Sequence, residues 1–205
     1  MENFSSWNKM QKQLLGVLLG LLICLFISQN AQAQDFVYSD WGDSYANVLE
    51  DNKIEELSYF GEANGLQAYG ASSTLTVGGV DAPIVIVYYF DNDKLSYGTF
   101  VFGTTDRESD YDLFIDVKTW LSNVAVTVKS SSDLQNDKKY TKKGVVDYKK
   151  AFIKGDFWSS HTLKLNNVLY THNLYIDDET GNTNHLILFS PTSEVAETLS
   201  NTKQA

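Results

Sequence analysis

Cysteine is nearly missing from this chain: Cys24 is the one thiol among 205 residues, and it lies in an apolar N-terminal stretch. Residues 34–205 therefore offer no disulfide staple, thiolate nucleophile or cysteine-ligated metal. Long apolar runs are lacking too. The longest, residues 14–27, has 14 members, short of the roughly 20 that a comfortable membrane-spanning helix needs. Basic charge is scarce, with 16 Lys and Arg against 26 Asp and Glu for a net charge of −10. That balance argues against nucleic acid or anionic lipid as a general partner. No G-x-S-x-G, P-loop or G-x-G-x-x-G motif occurs, so the usual sequence marks of acyl-transfer, nucleotide or dinucleotide chemistry are missing. No cofactor is expected.

What the N-terminus does contain is an export signature. Lys9 and Lys12 precede the apolar run, which ends near the small-residue site Ala31-Gln32-Ala33. A positive flank, an apolar core and an A-x-A site together predict a secretory signal peptide over residues 1–33, cut between Ala33 and Gln34. An uncleaved anchor is the alternative. A lipidated Cys24 fits less well, because Leu22-Ile23 stand where a lipoprotein signal wants a small residue. The expected product is a single domain over residues 34–205, periplasmic or extracellular, with no transmembrane span after cleavage. Removing Glu2, Lys9 and Lys12 takes its net charge to −11. A domain of about 170 residues buries close to 70% of its unfolded surface, enough to fold without staples.

The domain is organised around residues 80–103. Two β-branched and aromatic arms flank the polar tip Asp91-Asn92-Asp93-Lys94, the pattern of a β-hairpin. Ile84, Ile86, Tyr88 and Phe90 alternate with Val85, Val87 and Tyr89 on the first arm, and Gly98, Phe100 and Phe102 with Tyr97, Thr99 and Val101 on the second. Both faces are apolar, so both call for cover: a helix on one side and a loop, partner or ligand on the other. Before the hairpin, Asp43 or Ser44 can cap a short helix carrying Tyr45, Val48 and Leu49 to about Lys53, and residues 54–60 read as its continuation or as a strand. Residues 67–77 alternate as a half-buried strand, and Gly78-Gly79 turns them into the hairpin. Pro83 stands at the start of its strand, where a missing amide costs least.

After Gly103 the period changes. Thr105 and Glu108 have the spacing of a capping box, and Tyr111, Phe114, Val117 and Leu121 form the apolar stripe of a helix over residues 109–123. Residues 123–156 give a weak signal, with Ser130-Ser131-Ser132-Asp133 reading as an exposed loop. There follows a basic island, Lys138, Lys139, Lys142, Lys143, Lys149, Lys150 and Lys154, interleaved with Tyr140, Tyr148 and Phe152. Its plain reading is a solvated face balancing nearby carboxylates. Residues 157–165 and 168–177 read as strands joined by the Asn166-Asn167 turn, and residues 185–189 as a further strand after the turn at 178–182. Pro191 ends it, and Thr192 or Ser193 can cap a last helix through Leu199. The fold class is α+β: an antiparallel sheet, a helix-plus-three-strand unit used twice, with helices packed on one face.

Chemistry-bearing residues are dispersed. His161, His172 and His185 lie in different strands, and no H-x-H or H-x-x-x-H spacing marks them as metal ligands. The carboxylates of 177–182 and 91–93 lack the alternating ligands and terminal glutamate of a calcium loop and read as hairpin turns. No metal site and no catalytic residue is assigned.

A resemblance can be placed on particular residues. Trp41-Gly42-Asp43-Ser44 followed by Val48 resembles the W-G-x-S-x-x-x-V opening of small exported bacterial domains of largely unknown function. Gly79-Val80-Asp81-Ala82, the stretch from Tyr88 to Leu95, and Thr99-Phe100-Val101-Phe102 are similar to their later strands. So are the helix with Tyr111, Phe114, Lys118 and Leu121, and a late tryptophan strand with Trp158, Thr162 and Leu165. The resemblance implies an architecture like that of β-lactamase-inhibitor protein or BamE, and an envelope or secreted binding module.

The expected function is thus a non-enzymatic interaction module for a protein or envelope partner. Tyr88, Tyr89, Tyr97 and Tyr175 are its candidate binding residues, having the amphipathic character favoured at interfaces. The alternatives are small-ligand binding, with Lys149 or Lys154 converging on an acidic or apolar molecule held between the sheet and the basic connector, and a hydrolase, which needs a cleft of interacting titratable groups.

Overall fold

Eight antiparallel strands hydrogen-bond edge to edge in one sheet, and the two halves of the chain meet in its middle. The computed structural model describes residues 34–193 apart from Gly78, Thr104, Thr105 and Asn136. The signal segment, the Gly78 half of the first turn, the Thr105 cap and the final helix after Ser193 lie outside the described residues. Within them run α1 (Tyr45–Asn52), β1 (Ser58–Ala63), β2 (Leu66–Val77), β3 (Val80–Asp91), β4 (Lys94–Phe102), α2 (Arg107–Val124) and β5 (Val126–Leu134). Next come α3 (Asp137–Tyr140), β6 (Thr141–Lys142), β7 (Val145–Val146), α4 (Tyr148–Ile153), β8 (Phe157–Leu165), β9 (Val168–Ile176) and β10 (Thr183–Pro191). The sheet order is β1-β2-β3-β4-β10-β9-β8-β5, with β6 and β7 forming a separate two-stranded pair. The class is α+β. Each unit, however, has four strands rather than three in the main sheet: residues 58–63 pair with β2, and the serine-rich segment read as a loop pairs with β8 from Val126 to Leu134.

The central hairpin forms where its sequence places it. Asn92 and Asp93 both have positive φ, 50° and 61°, the backbone of a tight two-residue turn whose twist matches the strands. Register then sets Ile84 opposite Phe102, Ile86 opposite Phe100, and Tyr88 opposite Gly98. Gly98 leaves room for Phe36, whose ring meets Tyr88 edge-on at 5.1 Å and also contacts Phe100 and Phe189. A Cβ at Gly98 would lie 2.2 Å from that ring. Since Phe36 is itself buried among these rings, it has nowhere to move. Gly98→Ala should therefore cost about 1–3 kcal/mol, the usual penalty for overpacking, and urea unfolding would measure it.

Both main helices are capped by short polar side chains. Ser44 Oγ accepts from the Asn47 amide, and Lys53, at φ 54°, ends α1 in the left-handed conformation. Asp106, one residue after the expected threonine, accepts from the Glu108 and Ser109 amides at the start of α2. The α2 stripe is buried as its spacing predicts, with Phe114, Val117 and Leu121 in the core. Val48 of α1 joins Trp41, Tyr88, Phe90, Leu95 and Ile187 in the larger apolar cluster, whereas Phe114, Phe152, Phe157 and Leu174 form a second one.

Candidate functional site

A two-residue period decides the fate of the four candidate tyrosines. Tyr88 is fully buried, and its hydroxyl donates to Asn52 Oδ1 at 3.1 Å. Burial pushes its pKa up to about 12. Tyr88 is a core residue, which corrects its assignment to a binding surface: its side chain points to the face that α1 packs on. Tyr89 and Tyr97 point the other way. They are register partners on β3 and β4, stacked with ring centroids 4.2 Å apart, and both are half-buried. Burial raises the Tyr97 pKa, with Tyr89 adding to it. Tyr175, on β9, is 38% exposed.

The same sheet face continues across the strands. Directly opposed residues of an antiparallel pair share a face, so Tyr89 and Tyr97 are joined by the buried Val87 and Thr99, then Val85 and Val101, and across the strands by Leu186 and Leu188, Asn173 and Thr171, and Ser160 and Thr162. Val101 is 37% exposed. Leu186 sits beside it on β10.

At the far end of β8 and β9 this face dips into a depression of about 490 Å³. Trp158, Ser160, Asn173 and Tyr175 line it from the strands, with Gln135, Asp156 and Asp178 at its rim. Trp158 and Tyr175 stand one step beyond the Ser159–Leu174 pair. Sequence reasoning noted each ring but not their adjacency. The signal was available: Asn166-Asn167 closes a two-residue turn, and counting outward from Leu165 opposite Val168 brings Trp158 opposite Tyr175.

The lysines named for an acidic ligand do not gather there. Lys149 Nζ is held by Asp112 Oδ2 at 2.8 Å and Glu108 Oε1 at 2.9 Å, which ties α4 to α2. Lys154 is exposed and ends α4. Lys139 pairs with Asp156, whose carboxylate also accepts from the Tyr140 hydroxyl. No lysine or arginine lines the depression. Of the two named lysines, Lys149 is engaged by carboxylates and Lys154 is exposed, and neither lines this depression.

The three histidines, dispersed in sequence, come together in space. His161 and His172 are register partners, and His172 Nε2 lies 2.9 Å from His185 Nε2. Phe114 of α2 stacks on His172 at 4.4 Å, and Phe102 stacks on His185 at 4.2 Å. A bond between two Nε2 atoms requires opposite tautomers, and the Nδ1 atoms of both rings are buried with no partner among the described residues. His161 instead bonds Ser130 Oγ and Ser159 Oγ at 2.8 and 2.9 Å. Burial lowers the pKa of all three, to about 4 for His161 and about 3 for His185. His172 falls well below the usual histidine value, with His185, His161 and Lys118 adding repulsion to the effect of burial. Among the described residues, no group of three or more His, Cys, Asp or Glu is arranged to hold a metal ion. The trio is a packed, neutral polar cluster.

No protein-family model matches the chain, and no curated protein or solved structure is detectably similar to it. No helix among the described residues is long and apolar enough to cross a membrane.

Proposed function

We propose that this chain is an exported, non-enzymatic module that docks a protein or envelope partner on one face of its sheet, its helices being packed together on the other. The resemblance to small exported W-G-x-S domains belongs to the same reading. One observation carries it: the face bearing Tyr89, Tyr97, Val85, Val101, Leu186 and Leu188 is largely aliphatic and aromatic, and these six side chains remain partly open around the buried Val87–Thr99 pair. Stacked tyrosines at the middle of a patch are the kind of rigid, amphipathic anchor that dominates binding energy at interfaces. The size is suitable. Eight strands about 4.8 Å apart by roughly 20 Å of paired length give about 700 Å², close to the ~800 Å² that one partner brings to a standard interface.

Val101→Glu tests this directly, by placing a charge on an already exposed position. Crosslinking in intact cells, followed by recovery of the tagged protein from the envelope fraction, should yield a partner with the natural chain. The yield should drop at least about tenfold with the variant, because a desolvated unpaired charge is costly at an interface centre. Equal recovery from the two proteins, with unchanged urea unfolding, would remove this face from consideration.

A further inference from the structure

The depression at the ends of β8 and β9 has a chemistry unlike the apolar centre of the sheet. We propose that it is a binding site for a neutral sugar residue, with Trp158 and Tyr175 as its stacking platform. This goes beyond the docking reading and does not depend on it.

The two rings carry the proposal. Each is 38% exposed, and among the described residues neither pairs with another aromatic ring, although most of the other described aromatic side chains do. The two stand one step beyond the Ser159–Leu174 pair on adjacent antiparallel strands, a position at which directly opposed Cβ atoms are about 5 Å apart. Both line the depression from the strands of the sheet. Sugar rings have one face of C–H groups that packs on aromatic rings while their hydroxyls point outward to polar groups.

Those polar groups are present and uncommitted. The side chains of Asn173, Gln135 and Ser160 line the depression and make no hydrogen bond to any described residue. Carboxamides and hydroxyls both donate and accept, as sugar hydroxyls do. Asp178 adds an acceptor at the rim.

Charge selects among ligands. With no lysine or arginine in the lining, nothing offsets the desolvation of a phosphate, sulfate or uronate, and Asp178 would repel it. Asp156 is already satisfied by the Tyr140 hydroxyl and the Lys139 ammonium, so it does not create a strong cation site. The volume of about 490 Å³ falls within the ordinary range of small-ligand sites, about 300–1,000 Å³. Aromatic side chains beside uncharged amides and a hydroxyl, with carboxylates at the rim, therefore fit an uncharged polyol better than an anion or a lipid.

The experiment is a titration of the folded protein, followed by calorimetry and tryptophan fluorescence. Its probes are β-1,4-linked glucose and N-acetylglucosamine oligomers, α-1,4-linked glucose oligomers and mannose oligomers. A sulfated oligosaccharide and tetramethylammonium serve as charged comparisons. At least one neutral oligomer should bind in the millimolar range or tighter and shift the emission. Trp158→Ala and Tyr175→Ala should each weaken that binding about tenfold, the scale expected for a lost aromatic contact. Trp120→Ala, which removes an exposed tryptophan of α2 outside this site, should leave it unchanged. Both platform residues are partly exposed, so the variants should fold, and thermal unfolding checks this. The proposal is overturned if no neutral oligomer binds below about 10 mM, if binding survives both platform variants, or if a charged comparison binds more tightly.

Discussion

Trp41→Ala should lower the unfolding free energy by about 3–5 kcal/mol, the range for emptying a large buried aromatic site. Trp41 is 7% exposed and stacks nearly parallel on Phe36, with centroids 6.1 Å apart and planes 10° from coplanar. The backbone beside it is fixed on both sides. Gly42 N–H donates to Leu95 O and Leu95 N–H donates to Asp43 O, both at 2.8 Å, which fastens the segment to the start of β4. Gly42 has φ 94°, a conformation that side chains resist, and the very next turn is the Ser44 cap of α1. Trp41 thus covers the end of the sheet at the point where the first helix departs. Its indole N–H is buried with no partner among the described residues, so Trp41→Phe should be far milder, within about 1.5 kcal/mol, because it keeps apolar volume and removes an unsatisfied donor. Against a usual total of about 5–15 kcal/mol, the alanine variant should show a visibly lower urea midpoint. If unfolding is unchanged while partner recovery falls, Trp41 is a surface anchor instead.

The second large effect is acid lability at a pH where carboxylates are still ionised. His185 and His172 are buried and neutral, with pKa values held far below the 6.5 of an unfolded histidine. Below pH 6.5 the unfolded chain takes up protons that the folded one refuses, so stability is full above that pH and falls as the pH drops. The loss continues until the folded-state values are reached, near 3 for His185. Linkage sets the slope at about 1.4 kcal/mol per pH unit for each such group, or about 2 kcal/mol per histidine between pH 7 and pH 5. Lys118 on α2 reinforces the effect at His172 and His161. The carboxylates of Asp156 and Asp177 act in a different window, since their lowered values contribute stability that is lost only below about pH 4. Urea unfolding at pH 8, 7, 6 and 5 should reveal the histidine step. The paired change His172→Leu with His185→Leu should remove most of it and leave only the share of His161, and it leaves no orphan behind because both partners of the buried polar pair are replaced. A natural protein equally stable at pH 7 and pH 5 would mean that the imidazoles reach water in the folded state.

Local sequence determined the parts of this protein whose partners lie nearby along the chain. The turn at Asn92-Asp93 and the turn at Asn166-Asn167 each close two apolar arms with little loop entropy, and the α2 stripe needs nothing beyond its own spacing. The same locality made the Trp158–Tyr175 platform legible by counting from a turn. What only the tertiary structure decided involves long separations. The union of the two halves rests on β4 pairing with β10, Gly98 opposite Phe189, and no local pattern encodes that register. The serine-rich β5 has no apolar alternation of its own and is a strand because β8 offers it an edge. The burial of Tyr88 beside the half-exposed Tyr89 is a choice between two apolar faces, settled by where Phe36 and α1 pack. The histidines lie on three consecutive strands, and counting from the Asn166-Asn167 turn already sets His161 opposite His172, but their cover by Phe114, from a helix far back in the chain, was decided only by tertiary packing, and burial rather than spacing made them neutral.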